Sequence, residues 1–188
     1  MLALAIFGFV LYANTLGHDY VLDDFSQIKE NFITQRGLKG IPEQFAHHAR
    51  YGYGRDVGEL YRPLTMSVFS LQWEVAPDKP GFAHFVNVLL YALSGALLFY
   101  VLAKIMVGYN VLLPLLTTLF FVAHPVHVEV VANIKSLDEI LMFGLCLLAI
   151  NFLWDYLKNG SMAKLGFSLF CYLAALFSKE NAVTFLAI

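Results

Sequence analysis

The chain has 188 residues, 59% hydrophobic and only 14% charged, with a formal net charge of −2 and a mean hydropathy of +0.66. Soluble domains of this size carry about 25% charge and about 45–50% apolar residues. The excess apolar content falls in long blocks, which argues for a bilayer-embedded protein and excludes a small soluble enzyme. The near-zero charge without a long basic run excludes a nucleic-acid partner. Cys146 and Cys171 both lie inside apolar blocks, so neither a disulfide scaffold nor a zinc knuckle is indicated.

The first apolar block, residues 1–16, lacks a basic leader and an Ala-x-Ala site, and is therefore read as a span rather than a signal peptide. A polar loop follows at 17–81. Of the 26 Asp, Glu, Lys and Arg residues, 16 lie between Gly17 and Phe82. Further apolar blocks occupy 82–105, 111–123, 137–157 and 165–177, and another begins at 182–188. A span needs about 20 residues, so the second and fourth blocks are long enough alone, while the third and fifth need their flanks. Pro114 sits in the first turn of the third, where proline is tolerated. The expected fold class is an all-α polytopic membrane protein, with five spans, part of a sixth, and short helices in the first loop. With an apolar block only begun at 182–188, the chain is expected to be the N-terminal part of one larger transmembrane domain.

Alternating sides put the 17–81 loop, His124–Ser136 and Ser178–Asn181 on one face. The short connections bearing Lys104, Lys158 and Lys164 fall on the other, which the positive-inside rule makes cytoplasmic. The concentrated ionisable motifs then share the extracytoplasmic face, and charges so placed in a helical membrane protein often mark a substrate path, which suggests a site there.

Each motif has a plain reading beside a functional one. Asp24 is placed to N-cap a helix from Phe25, with Gln27 closing a capping box. Asp23 has no such local role, and paired carboxylates suit acid–base chemistry or a metal ion. Arg62 reads as half of a surface pair with Glu59, or as a bidentate grip on a lipid phosphate. His124 and His127 stand one turn apart after Pro125, but Glu129 faces elsewhere, so this is not a His-Glu-x-x-His zinc motif. Ser178 is placed to cap the sixth span. Lys179 and Glu180 read either as boundary charges or as an ion pair facing the bundle interior.

Taken together and in order, Tyr12-Ala13-Asn14-Thr15-Leu16, Val21-Leu22-Asp23-Asp24-Phe25, Tyr61-Arg62-Pro63-Leu64-Thr65, Phe85-Val86-Asn87-Val88-Leu89-Leu90, His124-Pro125-Val126-His127-Val128-Glu129 and Ser178-Lys179-Glu180 resemble the TMTC family. These are membrane O-mannosyltransferases with tetratricopeptide repeats, and they have bacterial relatives. The resemblance implies a GT-C glycosyltransferase bundle with a large first extracytoplasmic loop. It further implies a polyprenyl-phosphate sugar donor in the lipid bilayer, and a protein acceptor or partner subunits. By position Asp23 and Asp24 match the family's acidic pair and are the implied catalytic residues, and the implied holders of a divalent cation (Mg or Mn) if one binds. Arg62, Lys179 and His127 are the candidates for the donor phosphate. His124, Glu129, Asp138, Glu139 and Glu180 are the candidates for the surrounding pocket. Many TMTC-like sequences carry an Arg beside an acid after the His-Pro-Val-His motif. Here the position holds Leu137, and Lys135 is the nearest cation. The expected membrane is a bacterial inner membrane, with the endoplasmic reticulum as the other choice.

The expected reaction is inverting sugar transfer with Asp23 or Asp24 as general base and Arg62 or Lys179 stabilising the phosphate. A non-catalytic scaffold subunit retaining the same fold is the rival, and a lipid-linked sugar transporter ranks behind both.

Overall fold

In the computed structural model, which describes residues 1–54 and 60–187, every regular element is helical. The elements are α1 (Leu2–Tyr12), α2 (Phe32–Gln35), α3 (Ile41–Gln44), α4 (Pro63–Val75), α5 (Pro80–Ile105), α6 (Leu112–Ala123), α7 (His127–Ala132), α8 (Leu137–Asn159) and α9 (Met162–Ser178). Local chemistry sets several ends. Pro63 and Pro80 open α4 and α5, where a missing N–H costs nothing. Gly160, at φ +65, closes α8 in the left-handed conformation. The last stretch, Glu180–Ala187, is wound as 3-10 turns.

Helix α5 is the axis of the molecule. It packs against α1, α6 and α8, and α8 runs along α9. The approach to α6 is close because residue 95 has no side chain. A Cβ on Gly95 would stand 2.7 Å from Val122 Cγ2, nearer than carbon atoms can pack. One core cluster joins the loop to the bundle through Tyr20, Ile28, Met66, Phe69, Ile134 and Leu137. A second, around Tyr12, Val88, Tyr91, Val122 and Ile140, lies between α1, α5, α6 and α8. Cys146 and Cys171 are free and buried.

The segments 80–105 and 134–159 are 26 residues each and apolar enough to cross a membrane. At about 1.5 Å per residue a helix of that length runs about 39 Å, more than the roughly 30 Å hydrocarbon core. Three shorter apolar helices accompany them, over Leu2–Gly17, Leu112–Ala123 and Met162–Ser178. Their outer faces stay apolar and uncovered, with Leu2, Val10, Phe120 and Phe170 exposed. Water does not favour such a surface, and a bilayer does.

The loop is ordered around one buried side chain. Asn31 Oδ1 accepts from the N–H groups of Ile33 and Thr34 at the start of α2. Its Nδ2 donates to the carbonyls of Ser26 and Ala49. A Cβ on Gly52 would fall 2.0 Å from Asn31 Oδ1, so the tyrosine-glycine turn at Tyr51–Tyr53 needs its glycine to close over this hub.

The lysine-bearing end is less one-sided than its connections suggest. Lys104 pairs with Asp155 at 2.6 Å and donates to Asn151 Oδ1 at 2.6 Å, and Lys164 lies 4.0 Å from Asp155. Asp155 belongs to α8, not to a connection, and it partly offsets the lysine bias on that side.

Candidate functional site

Among the described residues, three cations and three carboxylates from three segments of the chain meet at the end of the bundle that faces the loop. Asp138, on the first turn of α8, is 1% exposed and sits at the centre. Arg62, just ahead of α4 and only 4% exposed, donates through Nη1 to Asp138 Oδ2. Lys135 Nζ lies 3.5 Å from the same oxygen, and Lys179 Nζ lies 3.5 Å from Asp138 Oδ1. Lys179 also donates to Glu139 Oε1 at 2.5 Å. Glu180 takes the outer edge of Arg62, with Nε to Oε2 at 3.0 Å and Nη2 to Oε1 at 2.5 Å. Thr65 Oγ1 donates to the Ser178 carbonyl at 3.1 Å and ties α4 to the end of α9.

The electrostatics follow from this contact list. Burial works against the charge of Arg62, but its hydrogen bonds to the Glu180 carboxylate and the negative charge of Asp138 outweigh it and raise its pKa. The Arg62 hydrogen bond lowers the pKa of Glu180 in turn, against a smaller opposing effect of burial.

The two adjacent aspartates separate. Asp24 is fully buried, and its carboxylate accepts from the N–H of Val21 at 2.9 Å and of Lys135 at 2.7 Å. Burial raises its pKa, partly opposed by those two hydrogen bonds. Asp23 is 46% exposed and pairs with Arg50 at 2.9 Å. As arranged, the two carboxylates have separate partners and do not fit a shared divalent cation. Among the described residues no group of three or more His, Cys, Asp or Glu is placed to hold a metal ion.

Several expectations are corrected by this geometry. Asp24 makes no side-chain cap to the short helical turn at Phe25–Lys29, because its oxygens are turned to Val21 and Lys135 instead. Gln27, the expected partner in a capping box, leaves Nε2 buried without a hydrogen bond. Ser178 does not cap a following helix; it is the last residue of α9 and donates to the Ala174 carbonyl. Arg62 is not a surface charge. Glu59 lies outside the described residues, and Arg62 is buried on Asp138 and Glu180. Of the two readings open for Lys179, the interior ion pair is the one observed, since Glu139 and Asp138 hold it below the surface.

The histidine motif stands to one side. His127 packs on Phe121 and Tyr91, with ring centroids 4.4 and 5.8 Å away, and burial, then the neighbouring His124, lowers its pKa. It lines an apolar groove of about 330 Å³ together with Tyr91, Phe121, Met142 and Glu139. His124 and Glu129 are exposed, and neither joins the ion cluster among the described residues.

Two contributors are not among the candidate site residues. Arg50 pairs with Asp23 across 27 residues of loop, and nothing local marks it. Asn87, fully buried on α5, donates to the carbonyls of Asn133 and Ile134 and so fixes the strand of chain that carries Lys135. An Asn in the middle of an apolar block is its visible signal.

An all-α protein with membrane-length apolar helices and a buried cation–carboxylate cluster at one end is the class that fold and site define. No family model matches the chain, and no solved structure matches it. Curated relatives do. Protein O-mannosyl-transferase tmtc2 of Xenopus laevis is 32% identical over 200 aligned residues, covering 96% of this chain and 22% of the relative. Human TMTC2 is 32% identical over 197 residues, with the same two shares, and mouse TMTC1 is 33% identical over 143 residues, 73% of this chain and 15% of the relative. Over this stretch the chain belongs with the TMTC protein O-mannosyl-transferases. It spans about a fifth of the length of the curated relatives it matches.

Proposed function

We propose that this chain is the N-terminal part of a GT-C type membrane glycosyltransferase. It moves a mannose-like sugar from a polyprenyl-phosphate donor to a protein hydroxyl on the extracytoplasmic side of a bacterial inner membrane or, in the second setting, of the endoplasmic reticulum membrane. The carrying observation is the buried gathering of Arg62, Lys135 and Lys179 around Asp138, coupled to the acidic pair by the Lys135 N–H on Asp24. Cations held in a dry, preorganised site stabilise charge that builds on a leaving phosphate. The neighbouring apolar groove between Tyr91, Phe121 and Met142 suits the polyprenyl chain.

In the proposed step the acceptor oxygen bonds to the anomeric carbon from the face opposite the phosphate, and the carbon–phosphate-oxygen bond breaks with inversion. The electron pair leaves on the lipid phosphate. The acceptor proton passes to the acidic pair. Asp23 is the member that an incoming hydroxyl reaches, because half of its side chain faces solvent beside Arg50. Asp24 is closed off, and its work is to hold Val21 and Lys135 in place.

The test is labelled sugar transfer from native lipid extract by the intact protein in membranes, comparing wild type with Asp23→Asn and Asp24→Asn. Loss of a general base lowers the rate about 10²–10⁴-fold, and we expect that from Asp23→Asn with insertion in the membrane unchanged. Equal transfer by wild type and Asp23→Asn removes Asp23 from the reaction. No transfer by correctly inserted wild type, with native acceptors present, selects the scaffold-subunit reading.

A further inference from the structure

Arg62 presents two edges, and they are filled by very different partners. Its inner Nη1 is held by Asp138, which is 1% exposed and also touches Lys135 and Lys179. Its outer edge, Nε and Nη2, is taken by both oxygens of Glu180, whose side chain is 56% exposed. Glu180 stands at the start of the 3-10 segment, ahead of buried Ala182, which packs on Met142 and Ala175; more than half of the Glu180 side chain already faces solvent, so it can swing outward without disturbing that core.

A carboxylate and a phosphate offer the same two-oxygen edge to a guanidinium. The charges also count. Arg62, Lys135 and Lys179 are balanced by Asp138, Glu139 and Glu180, so the closed cluster has no net charge with which to attract a phosphate. Release of Glu180 alone leaves one positive charge at the outer edge of Arg62. That matches the single charge of a sugar phosphodiester.

We propose that Glu180 is an exchangeable internal ligand of Arg62. It occupies the seat of the lipid phosphate when the site is empty, gives way to the donor, and returns to displace the product phosphate. Asp138 is the positioning residue that keeps Arg62 in place while its outer edge is exchanged. This inference rests on the assignment of Arg62 to a phosphate under Proposed function.

Binding of polyprenyl phosphate to the intact protein in lipid nanodiscs tests it, with polyprenol and inorganic phosphate as further probes. Glu180→Gln and Glu180→Ala should bind polyprenyl phosphate about tenfold more tightly than wild type, and should be more strongly inhibited by it during transfer. Asp138→Asn should bind it more weakly. Inorganic phosphate gaining as much as the lipid on Glu180→Gln shows that the seat reads the phosphate alone; a gain confined to the lipid shows that the chain is needed too. Saturable binding by wild type with equal or weaker binding by both Glu180 variants overturns the proposal and leaves Glu180 a structural partner. No saturable binding by wild type or any variant, beyond that seen with polyprenol, overturns the phosphate assignment itself.

Discussion

Asp23 and Asp24 are neighbours in the chain and opposites in environment. Burial raises the pKa of Asp24 above the ordinary 3.8, so the folded protein binds its proton more tightly than the unfolded chain does. Its contribution to stability is therefore complete below that ordinary value and is lost as pH rises through the raised one. Asn at this position does not titrate. The difference in melting temperature between wild type and Asp24→Asn should shift in favour of wild type as the pH is lowered into the carboxylate range; a difference that does not move with pH refutes the buried assignment. Glu180 behaves in the opposite sense, because Arg62 keeps its pKa low. Its contribution is present above the ordinary carboxylate value and disappears as pH falls through the lowered one. At this scale the sequence is least informative. Asp24 looks like a cap from its neighbours alone, and only the distant Lys135 N–H, 111 residues on, reveals its role.

Helices are a different matter, because the apolar blocks that form them are long and local. The segments at α5, α6, α8 and α9 are apolar by composition, and each folds as a helix with Pro, Gly or a polar turn at its ends. Contacts between helices need more than that. Asn87 on α5 holds two buried carbonyls of the chain just before α8, and a buried acceptor left without its donor costs about 1–3 kcal/mol. Asn87→Ala should lower stability by about that amount and weaken transfer as well, since Lys135 lies one residue beyond Ile134. Thermal unfolding in detergent measures the first effect, and labelled transfer the second. Unchanged unfolding would show that these carbonyls find water instead.

For the whole molecule, the decisive feature is that Arg62, Lys135, Asp138 and Lys179 converge from positions spread over more than 100 residues of chain. If the loop is extracytoplasmic, a cysteine at exposed Lys39 should react with a membrane-impermeant maleimide in intact cells. One at exposed Tyr109, between α5 and α6, should react only after permeabilisation. Labelling of both from outside would refute the alternating topology. Cys146 and Cys171 are buried and provide little background. Hydropathy alone was enough to determine an apolar, helical chain with its charges crowded into one loop and a few junctions, because burial in lipid is a property of long runs of residues. The order of short motifs was enough to place it with the TMTC proteins. Tertiary structure alone decided which charges are partners. Ion pairing depends on distances of a few ångströms between side chains that the sequence separates widely, and that is why only the folded chain shows Arg62 and Lys179, readable either as surface charges or as interior partners, buried against Asp138.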